Sequence, residues 1–396
     1  MFSERTNWRL AQNRLTRALE QVRANGAKIL DLTASNPTRV GLEYDSRAIL
    51  TALSSEQALD YDPQAKGLLA ARRAVAEYYR DRSAGSRDVA SNVSTDVERI
   101  ILTTSTSEGY SYVFRLLCNT GDELLVPKPS YPLFDFLADL QDVKLVPYPL
   151  IYDHGWQMDF PSLEKAVTER TRGVVVVHPN NPTGSYVQAG EMASLNAFCR
   201  AHGLAVIADE VFLDYVLQDQ RPASFAGNRD VLTFTLSGLS KISALPQMKV
   251  AWIMTSGPPE VLDEALDRLE VIADTYLSMN APIQWALPAL LEQRHGVQRQ
   301  LLERVKTNLT ELDRQLASQK ACQRLCVEGG WYAVLRIPVM RSDEDLVIEL
   351  LREESVLIHP GHFYDFPSDG YLVLSLIPPI EDFAEGIRRV VKRYLS

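Results

Sequence analysis

The chain has 396 residues, 46% of them hydrophobic and 23% charged, with a formal net charge of −10. That balance describes a globular protein able to bury a large core and divide into two domains. Its acidity, without any lysine or arginine cluster, excludes a nucleic acid as the main partner and favours a small molecule. The polar first ten residues do not read as a secretory signal and no apolar run approaches a membrane span, so a cytoplasmic protein with no membrane contact is expected.

In chain order, Trp8, Leu15, Leu19 and Val22 recur at helical spacing and predict a helix over Asn7–Asn25 that stops at Gly26. A short strand over Lys28–Leu32 follows. From Arg99 the pattern alternates: strand Ile100–Thr103, helix Ser107–Asn119, strand Glu123–Val126, helix Tyr131–Gln141, strand Val143–Tyr148. Gly173–His178 (GVVVVH) and Leu204–Ala208 (LAVIA) are apolar throughout, as parallel strands covered on both faces are, and Gln188–His202 supplies a crossover helix between them. Strands over Val231–Leu236 and Lys249–Thr255 come next, then helical patterns from Pro258 to about Lys320, then a strand, helix, strand, strand, helix series from Val327 to Ser396. The expected architecture is α/β, with a large domain over residues 45–285 and a smaller α+β domain made of residues 1–44 and 286–396. Cys118, Cys199, Cys322 and Cys326 are scattered; only the last two lie close, with no histidine beside that pair, and all four read as free thiols and not as a metal site or disulfides.

Open α/β sheets bind ligands beyond the carboxyl ends of their strands, so the residues after each strand carry the functional information. After the first comes TTSTSEGY, whose hydroxyls, free N–H groups and helix dipole suit a phosphate; a plain N-cap is the alternative. Tyr131 in PKPSYPLF is placed to stack on a flat ring, or simply to pack. Asn181 follows GVVVVH and precedes a Pro-Thr-Gly turn, a turn alone being the alternative. Asp209 follows LAVIA, where a buried acid needs a partner, a structural salt bridge being the alternative. Lys241 and Lys249 lie in SGLSKISALPQMKVAW, a largely uncharged run. A phosphate cradle, a stacking ring, an amide, a strand-end carboxylate and a lysine together match pyridoxal 5′-phosphate, which needs an amine for a Schiff base and an anion beside its ring nitrogen.

YDPQAKG, GDELLVPKPSYP, HPNNPTG, ADEVF, SGLSK with Lys249 eight residues on, EGGWY and HPG occur in an order that resembles the class I and II aminotransferases of fold-type I. The resemblance covers nearly the whole chain. It implies a mostly parallel seven-stranded central sheet in the large domain, and a homodimer with shared sites. The activity it implies moves an amino group from an amino acid to a 2-oxo acid through a Lys241 Schiff base. In that scheme Asp209 pairs with the ring nitrogen, Asn181 meets the phenolate oxygen and the substrate, and Tyr131 stacks. Ser105, Thr106, Ser107, Ser240 and Lys249 hold the phosphate, and Tyr61 reaches the phosphate of the neighbouring subunit. A lyase or decarboxylase on the same scaffold, or a non-catalytic binding protein, is the alternative.

Several residues depart from the family pattern. Lys249 stands where many relatives have arginine, Phe212 where most have a tyrosine that donates to the phenolate, and Gly238 where a hydroxyl is frequent. Val373, in GYLVLSLIPP, stands where relatives carry an arginine that grips the substrate carboxylate. Arg39 is a candidate replacement for substrate binding. Trp331, Tyr332, Phe363 and Tyr364 are candidate pocket-lining residues for an apolar or aromatic substrate group.

Overall fold

The computed structural model describes residues 1–8, 10–83, 96–132, 134–219, 221–317 and 319–394; Leu133 and Ser318, inside two expected helical runs, lie outside these. The central sheet contains β1 (Ile100–Thr103), β2 (Glu123–Lys128), β3 (Lys144–Tyr152), β4 (Trp156–Met158), β5 (Thr171–Val177), β6 (Ala205–Asp209), β7 (Thr233–Gly238) and β8 (Ala251–Ser256). Their spatial order is β1-β8-β7-β6-β5-β2-β3-β4. The pairs β3 to β2, β2 to β5, β5 to β6 and β6 to β7 are parallel, while β8 runs antiparallel to both neighbours. The runs VVVV in β5 and AVIA in β6 are buried throughout because helices cover both faces of the sheet, as their unbroken apolar character requires.

The sheet has eight strands, not the seven expected. The eighth, β4, is a three-residue antiparallel edge strand, too short for alternation to reveal it. It exists because β3 runs on to Tyr152 and folds back as a hairpin.

The N-terminal helix α1 is Arg14–Ala24, shorter than the expected Asn7–Asn25. Asn13 starts it by accepting the Thr16 N–H at 2.7 Å, and Gly26 follows its end with φ 74°. Trp8 lies outside the helix: its indole N–H donates to Asp139 at 2.8 Å and its ring meets Phe136 edge-on at 5.3 Å. The N-cap residue, and not the apolar spacing, fixes where the helix begins. Helix α2 (Thr106–Leu117) follows β1, and α3 (Ala189–His202) makes the crossover between β5 and β6, ending at Gly203 in the left-handed region.

A second, antiparallel sheet holds β9 (Gln323–Arg324), β10 (Tyr332–Arg336), β11 (His359–Pro360) and β12 (Tyr371–Ser375), in the order β9-β10-β12-β11. Leu30–Asp31 runs parallel to Val356–Leu357, and the Leu32 carbonyl accepts the Ser375 N–H at 2.7 Å, so the segment after α1 is tied to this sheet. The two sheets meet at two turns. The Gly184 carbonyl accepts the N–H groups of Glu328 (3.1 Å) and Gly329 (2.9 Å), while the Glu328 carboxylate accepts the Tyr186 N–H at 2.7 Å. Gly184 has φ +72°, and a Cβ there would stand 2.6 Å from the Gly329 carbonyl, so this close approach of backbones requires glycine. No helix among the described residues is long and apolar enough to cross a membrane.

Candidate active site

Lys241 sits in the short helix α4 (Leu239–Ile242), directly after β7. Three distant side chains clamp the backbone there. The Lys241 carbonyl accepts the Tyr215 O–H at 2.6 Å, the Ile242 carbonyl accepts Gln298 Nε2 at 2.9 Å, and the Ala244 carbonyl accepts the Tyr44 O–H at 2.9 Å. The Lys241 Nζ lies 5.4 Å from the centroid of the Phe212 ring and 5.0 Å from that of Trp331, and it donates no hydrogen bond among the described residues. Burial pushes this amine down from 10.5 to about 8, with the Asp209 charge opposing the shift. The lowered basicity is therefore an effect of desolvation. Lys249 contributes nothing to it: that side chain is exposed, on a left-handed backbone with φ 52°.

Asp209 ends β6 and is 8% exposed. Its Oδ1 accepts the Val211 N–H at 3.1 Å and its Oδ2 accepts the Tyr110 O–H at 3.0 Å. Burial raises the carboxyl to about 6 despite these donors and Lys241. Glu210, beside it, is also buried and is pushed up to about 7, but its carboxylate is occupied by the Ser224 hydroxyl and the Phe225 N–H, each at 2.6 Å.

Asn180 and Asn181, after β5, differ in a telling way. Asn180 donates to the Pro129 carbonyl at 3.0 Å and to the Thr183 hydroxyl at 2.9 Å. Asn181 is equally buried, yet its Oδ1 has no partner among the described residues. A buried amide oxygen left unpaired costs roughly 1–3 kcal/mol unless a bound group meets it.

The alternative reading of TTSTSEGY as a cap is realised in part: Ser105 Oγ accepts the Glu108 N–H at 3.2 Å, and the Glu108 carboxylate accepts the Thr104 N–H at 2.6 Å. Thr106 and Ser107 then occupy the first turn of α2, where backbone N–H groups have no helical acceptor. Ser240 lies half-buried in α4. Tyr131 is 40% exposed and meets Phe134 edge-on at 6.3 Å; burial and then the Asp209 charge hold its hydroxyl above the usual range, which puts the two residues in one electrostatic neighbourhood.

Two further expected site residues are exposed. Arg39 is exposed in the turn Pro37–Arg39, and Tyr61 is 79% exposed on the surface of the single chain. Val373 is fully buried in β12, paired with Val334 on one side and His359 on the other. Tyr332 packs against Phe212 (6.1 Å) and Tyr364 (6.5 Å), and the Tyr364 hydroxyl lies 3.2 Å from His359 Nδ1. Phe212, Trp331, Tyr332 and Tyr364 thus form one aromatic wall beside the lysine, while Phe363 contacts His359 and His362 instead. Sequence reasoning missed Tyr110, Tyr215, Gln298 and Tyr44, because each acts through a partner far away in the chain.

A family model described as Aminotransferase class I and II matches residues 27–376. Alanine aminotransferase of Mycobacterium bovis is 29% identical over 386 residues, covering 93% of this chain and 86% of the relative. Glutamate-pyruvate aminotransferase of Escherichia coli is 27% identical over 389 residues, covering 95% and 93% respectively. Among solved structures, alanine aminotransferase from Pyrococcus furiosus superposes with a TM-score of 0.88 at 23% identity, covering 99% of both chains.

Proposed function

The chain belongs to the class I and II aminotransferases and is an amino-acid aminotransferase, and from that premise we propose that it works with pyridoxal 5′-phosphate held covalently by Lys241. The observation that carries this reading is a set of uncommitted polar groups after β1, β5 and β7 and just before β8: the first-turn N–H groups of α2, the orphaned Asn181 Oδ1, the unbonded Lys241 Nζ and the exposed Lys249 amine. A flat, phosphorylated aldehyde fits such a set. Asp209 would face its ring nitrogen, Asn181 its ring oxygen, and Tyr131 its ring face. Ser105, Thr106, Ser107, Ser240 and Lys249 would hold its phosphate, with Tyr61 supplied by a second copy in a homodimer. In this reading residues 45–285 form the cofactor domain, and residues 1–44 with 286–396 the smaller one. When bound, the group supplies an electron sink for charge developing on the substrate's Cα.

The chain's own part is proton handling and orientation. A lysine displaced to about 8 is divided between its two forms near neutral pH, so Lys241 Nζ can take the Cα proton and give it up again. The aromatic wall excludes water and favours an amino donor with an apolar side chain; alanine, named in the relatives, is the first to try. The donor's carboxylate has no guanidinium at position 373 to grip it, and Arg39, carried by the segment tied to the second sheet, is the proposed substitute. The relatives are named for amino transfer, which leaves the lyase and binding-protein readings without support.

The test is to add single amino acids, alanine among them, to cofactor-loaded protein without a 2-oxo acid and follow its absorbance. Stoichiometric bleaching of the visible band, reversed by pyruvate, is expected. Continuing release of ammonia or carbon dioxide would instead mark a lyase and overturn the proposal.

A further inference from the structure

We propose that Tyr110 is a positioning residue of this site, binding the Asp209 carboxylate to helix α2 so that one rigid element governs both the phosphate end and the ring-nitrogen end of the cofactor. The inference rests on the cofactor reading above and adds a residue to it.

The geometry is direct. Tyr110 lies in the second turn of α2, the helix whose first turn holds Thr106 and Ser107, and is 2% exposed. Its O–H donates to Asp209 Oδ2 at 3.0 Å. The ring is fixed edge-on between Phe114 (5.8 Å) and Phe134 (5.3 Å), so the hydroxyl has one direction in which to point. The helix itself is tightly seated: a Cβ at neighbouring Gly109 would stand 3.1 Å from Leu236 of β7 and 3.4 Å from Ile253 of β8. With Val211 N–H on Oδ1, each carboxylate oxygen accepts one bond from the protein and keeps a free lone pair.

The chemistry follows from which groups face Asp209. They are Tyr110 from α2, Lys241 from α4 and Tyr131 from the loop after β2, while His178 of the segment after β5 bonds only the Asp209 backbone carbonyl, at 2.7 Å. Among these, Lys241 is the one cation. An O–H donor favours the ionised carboxylate, and an ionised Asp209 is what a protonated ring nitrogen requires. Without the phenol, burial would hold the carboxyl still higher and part of the population would be neutral at working pH.

The experiment titrates apoprotein with pyridoxal 5′-phosphate from pH 5 to 8, following tryptophan fluorescence, in wild type and Tyr110→Phe. The phenylalanine keeps the ring packing and removes only the O–H. Loss of a hydrogen bond to a charged group is worth about tenfold in affinity, so the variant should bind about tenfold more weakly at pH 7. The acid limb, where affinity falls as Asp209 protonates, should move to higher pH. Unphosphorylated pyridoxal should lose affinity by the same factor, because the defect lies at the ring nitrogen. Wild-type affinity and an unmoved acid limb in the variant would overturn the role of Tyr110. Failure of wild-type protein to bind the compound at all would overturn the cofactor reading itself, and this inference with it.

Discussion

Lys241 and Asp209 both titrate away from their ordinary ranges, in directions that load the fold with cost. The lysine falls from 10.5 to about 8, so between those values the unfolded chain binds more protons and stability rises with pH. Below about 8 the buried amine is charged and its full cost applies. Asp209 rises from 3.8 to about 6, so across that window the folded state binds more protons and stability falls as pH rises. Apoprotein carrying Lys241→Met is therefore expected to melt at a higher temperature than wild type at pH 7, with the gap narrowing towards pH 10; identical melting curves at every pH would contradict the assignment of a buried, desolvated amine. Site residues commonly trade stability for reactivity in this way. At this scale the sequence singled out polar residues that follow apolar strands, Asn181, Asp209 and Lys241 among them. It was silent on Tyr110, which reads as one more aromatic on a helix, because its hydroxyl meets a carboxylate 99 residues away in the chain.

Strand β7 shows how an element constrains the site it carries. Gly238 is its last residue, and the reason for glycine here is steric. Its backbone is extended, but a Cβ would lie 2.7 Å from the Val250 carbonyl and 2.9 Å from the Ala251 Cα on β8. Gly238→Ser is thus expected to destabilise the protein by about 1–3 kcal/mol in a denaturant titration, without restoring a phosphate contact. A variant as stable as wild type would show that β7 and β8 separate more easily than their spacing implies. The parallel strands β5 and β6 were readable because full burial leaves an unbroken apolar run. The edge strand β4 and the start of α1 were not: a three-residue strand has no period, and the Asn13 cap decides the helix start locally while Trp8 continues the apolar spacing by chance.

Across the whole molecule, two sheets meet where the turn after β5 interlocks with the turn before β10. The same contact brings Trp331, just before β10, over Lys241 in the helix that follows β7, and sets Tyr332 against Phe212. The order β-α-β and the separate C-terminal series made both sheets legible from sequence, since each is patterned within itself. Their meeting was not legible, because it depends on backbone carbonyls and glycines that carry no pattern. All the functional conclusions turn on the amine that this meeting encloses. Reduction of cofactor-loaded protein with borohydride, followed by peptide mapping, should place a single pyridoxyl label on Lys241 and abolish amino transfer. A label on another lysine, or none on a protein that still transfers amino groups, would contradict the account.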